Sequence, residues 1–334
     1  MNCRAYVSHA ESGDLWVLAL DGRSGALEPL QRIDIGGTVM PLALSPDRRF
    51  LYAARRSDPL AVAGFAIDPA SGLLSPLGEA PLPHSMAYLA ADRGGRFLFS
   101  ASYGGSLVAV SPIGPDGVPL AAQQILPTPP HAHCILSGPD NRHVYATSLG
   151  GDCVLHWHFD PDSGQLAAAA PLALPAGTGP RHLAFHPQGG FAYLLGELDG
   201  SLAVLAIDHA TGALSPLQTA SSLPPDFDGA PWAADLHLTP DGRFLYSSER
   251  RSGTLAVFRV DPATGRLGPA GHAATTAQPR GFAIDPSGRF LLAAGQRSHR
   301  IAVHAIDPAT GALSPCGEHA VGRDPNWVEL IALP

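Results

Sequence analysis

The chain has 334 residues, a formal net charge of −8 at pH 7, and is 45% hydrophobic and 15% charged. The acidic balance argues against nucleic acid as a partner, and no apolar run is long enough for a membrane helix. All 21 basic residues are arginine, which excludes Schiff-base chemistry and any lysine base. Four cysteines (Cys3, Cys134, Cys153, Cys316) show neither CxxC spacing nor a disulfide framework, and the opening "MNCRAYVSHAES" lacks the apolar core of a signal peptide. A reduced, cytoplasmic protein is the expectation, with no membrane association; a monomer is compatible with it.

In chain order, "CRAYVSHAESGDLWVLAL" reads as two strands with no partner strand before them. A repeat then takes over. Turns of the form Asp/Ser-x-Gly recur with glycines at Gly25, Gly72, Gly117, Gly164, Gly212, Gly265 and Gly311, at intervals of 45 to 53 residues. A second phrase ("SPDRRFLY", "ADRGGRFLF", "TPDGRFLY", "DPSGRFLL") keeps step, with Phe50, Phe97, Val144, Phe191, Phe244 and Phe290 taken as its anchors. Between the turns lie short Val/Ile/Leu/Phe/Tyr runs such as "SLAVLAI" and "TLAVFRV", which read as strands. "LAAAAPLALP" (166–175) is the best helical candidate, and its prolines argue against a helix. The last unit shows the plan: "RGFAID" as inner strand, "FLLAAG", "RIAVHAI", and an outer strand in "ALSPCGEHAV". Four antiparallel strands in each of seven units predict an all-β, seven-bladed β-propeller over residues 1–334 as one domain. The C-terminal "DPNWVELIAL" supplies the inner strand that the first unit lacks, so the last strand should pair with the N-terminal blade and close the ring.

The repeat also gives a phase. In a propeller, near-identical turns occupy one face, while the loops that enter the inner strand and join the second and third strands occupy the other. Six residues before the turn proline, at the top of each inner strand, stand Met40, Ala87, His133, Arg181, Ala234 and Arg280. Six residues after each anchor stand Arg56, Tyr103, Gly150, Glu197, Arg250 and Gln296. Both rings face one mouth of the channel. They predict a site with His133, Glu197 and Arg181 as catalytic residues and with Arg280, Arg250, Arg56, Arg297, Gln296 and Tyr103 as substrate contacts. Arginine forks suit carboxylate or phosphate, and an arginine-lined mouth in an acidic protein points to a small anionic ligand. His133 suits acid–base work near neutral pH, with Glu197 sharing or orienting the proton. "HWH" (156–158) places two imidazoles on one strand face but lacks a third ligand, and in "HAH" (131–133) catalysis is preferred to zinc. No metal or cofactor is expected. His182 and His186 read as packing or surface residues, and Asp235 with His237 as channel lining or a buried polar pair.

These residues sit in phrases that carry a family likeness: "GPRHLAFHP", "GELDGSLAV", "WAADLHLTPDGRFLY", "QPRGFAIDPSG", "AAGQRSHRIAV" and "AVGRDPNWV". Over essentially its whole length the chain resembles the bacterial 6-phosphogluconolactonases of the seven-bladed propeller type, relatives of fungal carboxymuconate-lactonizing enzymes. The resemblance implies metal-free hydrolysis of 6-phospho-D-glucono-1,5-lactone, with the family's His, Glu and Arg falling on His133, Glu197, Arg181 and one or both of Arg250 and Arg280. The alternatives are lactonization of a carboxylated muconate at the same site, or a propeller that binds partners without catalysis.

Overall fold

A computed structural model describes residues 2–334, which form seven antiparallel sheets. The inner strands are Pro325–Ala332, Val39–Leu44, Tyr88–Ala91, Ala132–Ser137, Pro180–Phe185, Ala233–Leu238 and Pro279–Ile284, for blades 1 to 7. Each packs beside the next, and blade 7 returns to blade 1. The ring closes as expected: Pro325–Ala332 pairs antiparallel with Asn2–His9, Cys3 opposite Ala332. In blade 4 the Ala-rich segment is two short outer strands, Leu166–Ala168 and Leu172–Ala173, both paired with Cys153–Phe159. The prolines that end each piece prevent a helix and split the edge strand.

The core is divided among the gaps between blades. Seven apolar clusters each draw residues from two neighbouring blades, as Tyr193, Leu195 and Val204 do with Leu245, Ala256 and Phe258. Second strands are therefore covered on both faces, and "FLFSAS" (97–102) is buried throughout, whereas the outer strand Leu313–Ala320 is mostly exposed.

Contact between the two repeated phrases explains why they recur together. In six blades the turn glycine lies against the first residue of the preceding blade's second strand, as Gly265 does against Phe191 and Gly311 against Phe244, and in blade 2 Gly72 lies against Arg4 of Asn2–His9. Gly265 has φ +68, and a Cβ there would stand 2.5 Å from the Phe191 ring, so both conformation and space demand glycine. Two residues beyond the one that the turn glycine meets, Tyr6, Tyr52, Tyr145, Tyr193 and Tyr246 donate their hydroxyls to the carbonyls of Gly72, Gly117, Gly212, Gly265 and Gly311, at 2.6–3.1 Å. Phe99 and Leu292 hold this place in blades 3 and 7, so those two junctions lack the bond. The turn glycine Gly212 packs on His143, which begins the second strand of blade 4. The anchor of that blade is thus His143 and not Val144.

Candidate active site at the channel mouth

Two backbone devices place the mouth residues. Two positions before the top of the inner strand, His131, Gly179, Gln278 and Asp324 adopt positive φ, at 66, 59, 57 and 57°. The inner strands of blades 2, 4, 5, 6 and 7 then shift register, between Ala132 and Ile135 or between Pro180 and His182, for example. His133, Arg181 and Arg280 lie within these bulges, which turn a side chain out of the ladder. One backbone hydrogen bond then ties the second ring to the first. Arg56, Leu149, Glu197, Arg250 and Gln296 donate their N–H groups to the carbonyls of Thr38, His131, Gly179, Trp232 and Gln278, at 2.7–3.2 Å. The blade 4 member is Leu149 rather than Gly150, the same one-residue correction as at His143.

Arg181, Glu197 and Arg250 form one buried cluster. One Glu197 carboxylate oxygen forms ion pairs with Arg181 Nε at 2.7 Å and an Arg250 terminal nitrogen at 2.9 Å, and the other accepts from Trp232 Nε1 at 3.2 Å. The Arg250 guanidinium stacks 3.9 Å from the Trp232 ring and donates to the carbonyls of Trp232 and Ala233. Arg181 also donates to the Ala234 carbonyl and to His182 Nε2. Burial pushes the Glu197 carboxyl up, but Arg181, Arg250 and Arg280 more than offset this and hold it below the usual range. It is a carboxylate locked into arginines, and it makes no hydrogen bond to His133.

His133 is buried, its ring 5.1 Å from that of His182 and edge-on to Tyr103 at 6.1 Å. Its Nδ1 is enclosed without a hydrogen-bond partner among the described residues. Burial, then Arg181, His182, Arg280 and Arg250, press its pKa well below the ordinary value of 6.5, so the ring is neutral at pH 7. Beneath it, His182 Nδ1 meets Asp235 Oδ1 at 2.7 Å, and His237 Nε2 meets Asp235 Oδ2 at 3.2 Å. Burial and Arg181 lower His182 to about 4, against the pull of Asp235. A neutral His182 with its proton on Nδ1 satisfies both neighbours: it donates to Asp235 and accepts from Arg181.

The other expected contacts lie apart. Tyr103 stacks on His131 at 4.1 Å between ring centroids. Gln296 donates to Asp324 at 2.7 Å and accepts from Gln278. Arg56 donates from Nε to the Ser85 hydroxyl at 2.9 Å and lies against the Met40 sulfur. Arg280 is half-buried, and its guanidinium makes no hydrogen bond or ion pair among the described residues. Arg297 is exposed and joins no part of the cluster. His156 is bonded to His143 at 2.9 Å, and no group of three His, Cys, Asp or Glu among the described residues is placed to hold a metal ion.

His182, Trp232, Asp324 and Asn326 also belong to the mouth, although the sequence signals did not single them out as parts of it. Asn326 follows Pro325 as Arg280 follows Pro279 and Arg181 follows Pro180, so the same phase reaches it once carried into the closing strand. It is fully buried, accepts from the Ser8 hydroxyl and donates to the carbonyls of Val39 and Asp324.

Residues 4–330 match the family described as "Lactonase, 7-bladed beta-propeller". The chain belongs to this lactonase family. It is 43% identical over 330 residues to a 6-phosphogluconolactonase of Pectobacterium carotovorum, with 98% of each chain covered. It is 41% identical over 331 residues to one of Serratia proteamaculans, again with 98% of each covered. Among solved structures, a periplasmic gluconolactonase of Pseudomonas aeruginosa superposes with a TM-score of 0.93 at 31% identity, covering all of both chains.

Proposed function

We propose that this lactonase-family chain hydrolyses 6-phospho-D-glucono-1,5-lactone to 6-phosphogluconate, a step of the pentose phosphate pathway. The full-length likeness to proteins of that name supports the substrate. The observation that carries the chemistry is a buried, neutral imidazole beside a carboxylate-clamped pair of arginines at the mouth of the channel.

In this reading neutral His133 takes a proton from water as the water oxygen bonds to C1 of the lactone. Charge developing on the carbonyl oxygen is met by Arg181 and Arg250, whose guanidiniums Glu197 and Trp232 hold in place. One preorganised donor of this kind lowers a hydrolytic barrier by about 3–4 kcal/mol. The C1–O5 bond then breaks and protonated His133 returns its proton to O5, leaving a carboxylic acid that ionises. Glu197 acts here as a positioning residue for the arginines, because its carboxylate is already committed to them. The test is acceleration of phosphogluconolactone hydrolysis above the spontaneous rate, followed by coupling the product to its dehydrogenase. No acceleration by the folded protein would refute the reading.

We also propose that the protein works in the cytoplasm, where a phosphorylated sugar is formed and kept. Its four unpaired cysteines suit a reducing compartment. No helix among the described residues is long and apolar enough to cross a membrane.

A further inference from the structure

The mouth is built from two unlike arcs. Blades 4, 5 and 6 contribute His133, Arg181, Glu197, Trp232 and Arg250, a set in which Glu197 pairs with the charges of Arg181 and Arg250. Blades 7, 1 and 2 contribute Arg280, Asp324, Asn326 and Arg56 from across the channel. There the cations are not satisfied. Among the described residues Arg280 has no hydrogen-bond or ion-pair partner for its guanidinium, and Arg56 has only a serine hydroxyl and a thioether, the latter a weak acceptor. No carboxylate stands within ion-pair distance of either among the described residues. Asp324 on this arc acts on Arg280 only through its charge, and Gln296 donates to it.

The charges point to what belongs between them. Four arginines, Arg56, Arg181, Arg250 and Arg280, share the mouth with the carboxylates of Glu197 and Asp324, while Glu249 is tied to the Trp232 and Ser252 N–H groups, Asp235 is tied to His182 and His237, and His133 is neutral. Burial lowers Arg56; burial together with Arg181 and Arg56 depresses Arg280. Such a cluster of like charges in a desolvated mouth is unfavourable unless an anion enters it. A phosphomonoester carries about −1.5 to −2 at pH 7.

We propose that Arg280 and Arg56 form a subsite for the substrate's phosphate group, distinct from the Arg181–Glu197–Arg250 cluster, and so set the preference for phosphorylated over unphosphorylated sugar lactones. The inference rests on the lactonase reading and deepens it. Sugar geometry agrees with two separate arcs. The phosphate on C6 is several bonds from the reacting C1, so its binding groups must stand apart from His133. Arg181 and Arg250, already engaged by carboxylate and carbonyls, have few donors left for a dianion, whereas Arg280 offers its whole fork.

The test compares kcat/KM for 6-phosphogluconolactone and for glucono-1,5-lactone in wild type, Arg280→Ala, Arg56→Ala and Arg250→Ala. Deleting a charge-assisted hydrogen bond that only the phosphorylated substrate makes should cut the preference ratio by roughly 10–100-fold in Arg280→Ala and Arg56→Ala. The effect should be carried mainly by KM for the phosphorylated lactone. Arg250→Ala should slow both substrates and leave the ratio within about threefold. Calorimetric titration of 6-phosphogluconate and of gluconate gives a readout that needs no turnover. Wild type should bind the phosphorylated acid more tightly, and Arg280→Ala should erase most of that difference. An unchanged ratio with unchanged selectivity in binding overturns the subsite. If wild type hydrolyses neither lactone yet shows the Arg280-dependent selectivity, the reaction assignment fails and the subsite stands.

Discussion

The two faces of this propeller are built on opposite principles. On the turn face a position does the same work in most blades: a turn glycine meets a neighbour's ring at six junctions, and a tyrosine hydroxyl meets the glycine carbonyl at five. Repetition there is the signature of a packing contact that recurs from junction to junction. At the mouth, equivalent backbone positions, tied by the same N–H to carbonyl bond, carry Arg56, Leu149, Glu197, Arg250 and Gln296. The backbone repeats and the chemistry does not. A residue that follows the repeat should therefore matter for stability, and one that departs from it at the mouth should matter for activity.

The sharpest break between the two should come from His133→Ala. Loss of a general base costs roughly 10²–10⁴-fold in kcat, with the fold intact by circular dichroism and the melting temperature little changed. A mutant retaining wild-type kcat would remove His133 from the reaction. Glu197→Gln should move both readouts, because it strips Arg181 and Arg250 of their shared carboxylate. Removing one partner of a buried ion pair costs about 3 kcal/mol, to be read as a shifted denaturant midpoint, alongside a fall in kcat for both lactones.

Tyr193→Phe probes the turn face. It deletes the 3.0 Å bond to the Gly265 carbonyl and should cost about 1 kcal/mol of stability with kcat and KM unaltered. A substantial loss of activity would break the division of labour between the faces. The smallest expected effect is a pH response that is nearly flat. His133 has a depressed pKa, so its neutral form persists as pH falls through 6.5. The acid limb of kcat/KM should therefore lie well below 6.5, and a limb at or above that value would mean the base is not His133. Stability should fall over part of the same range. Burial lowers His156 and His182 to about 4, so the unfolded chain binds more protons between there and 6.5.

The fold was almost wholly legible, because a propeller blade is specified by turn and strand chemistry that recurs. Even the closing strand could be read from "DPNWVELIAL". The slip at blade 4 has a plain cause: His143 replaces the phenylalanine of other blades, so Val144 was the nearest apolar residue to take as anchor. What made His143 identifiable was its contact with Gly212 in the next blade, which a one-dimensional pattern does not contain.

Phase likewise brought His133, Arg181, Glu197, Arg250 and Arg280 to one mouth, since position within a blade fixes height and radius in the ring. Composition and phase by themselves thus determined the architecture, its closure, and an arginine-rich face. The tertiary structure alone decided how the charges divide. Glu197 stands between Arg181 and Arg250 and makes no bond to His133, His182 and Asp235 lie beneath that histidine, and the Arg280 guanidinium has no partner among the described residues. Pairing depends on ångström distances across the channel between side chains from different blades, and a repeat that assigns every blade the same coordinates cannot express them.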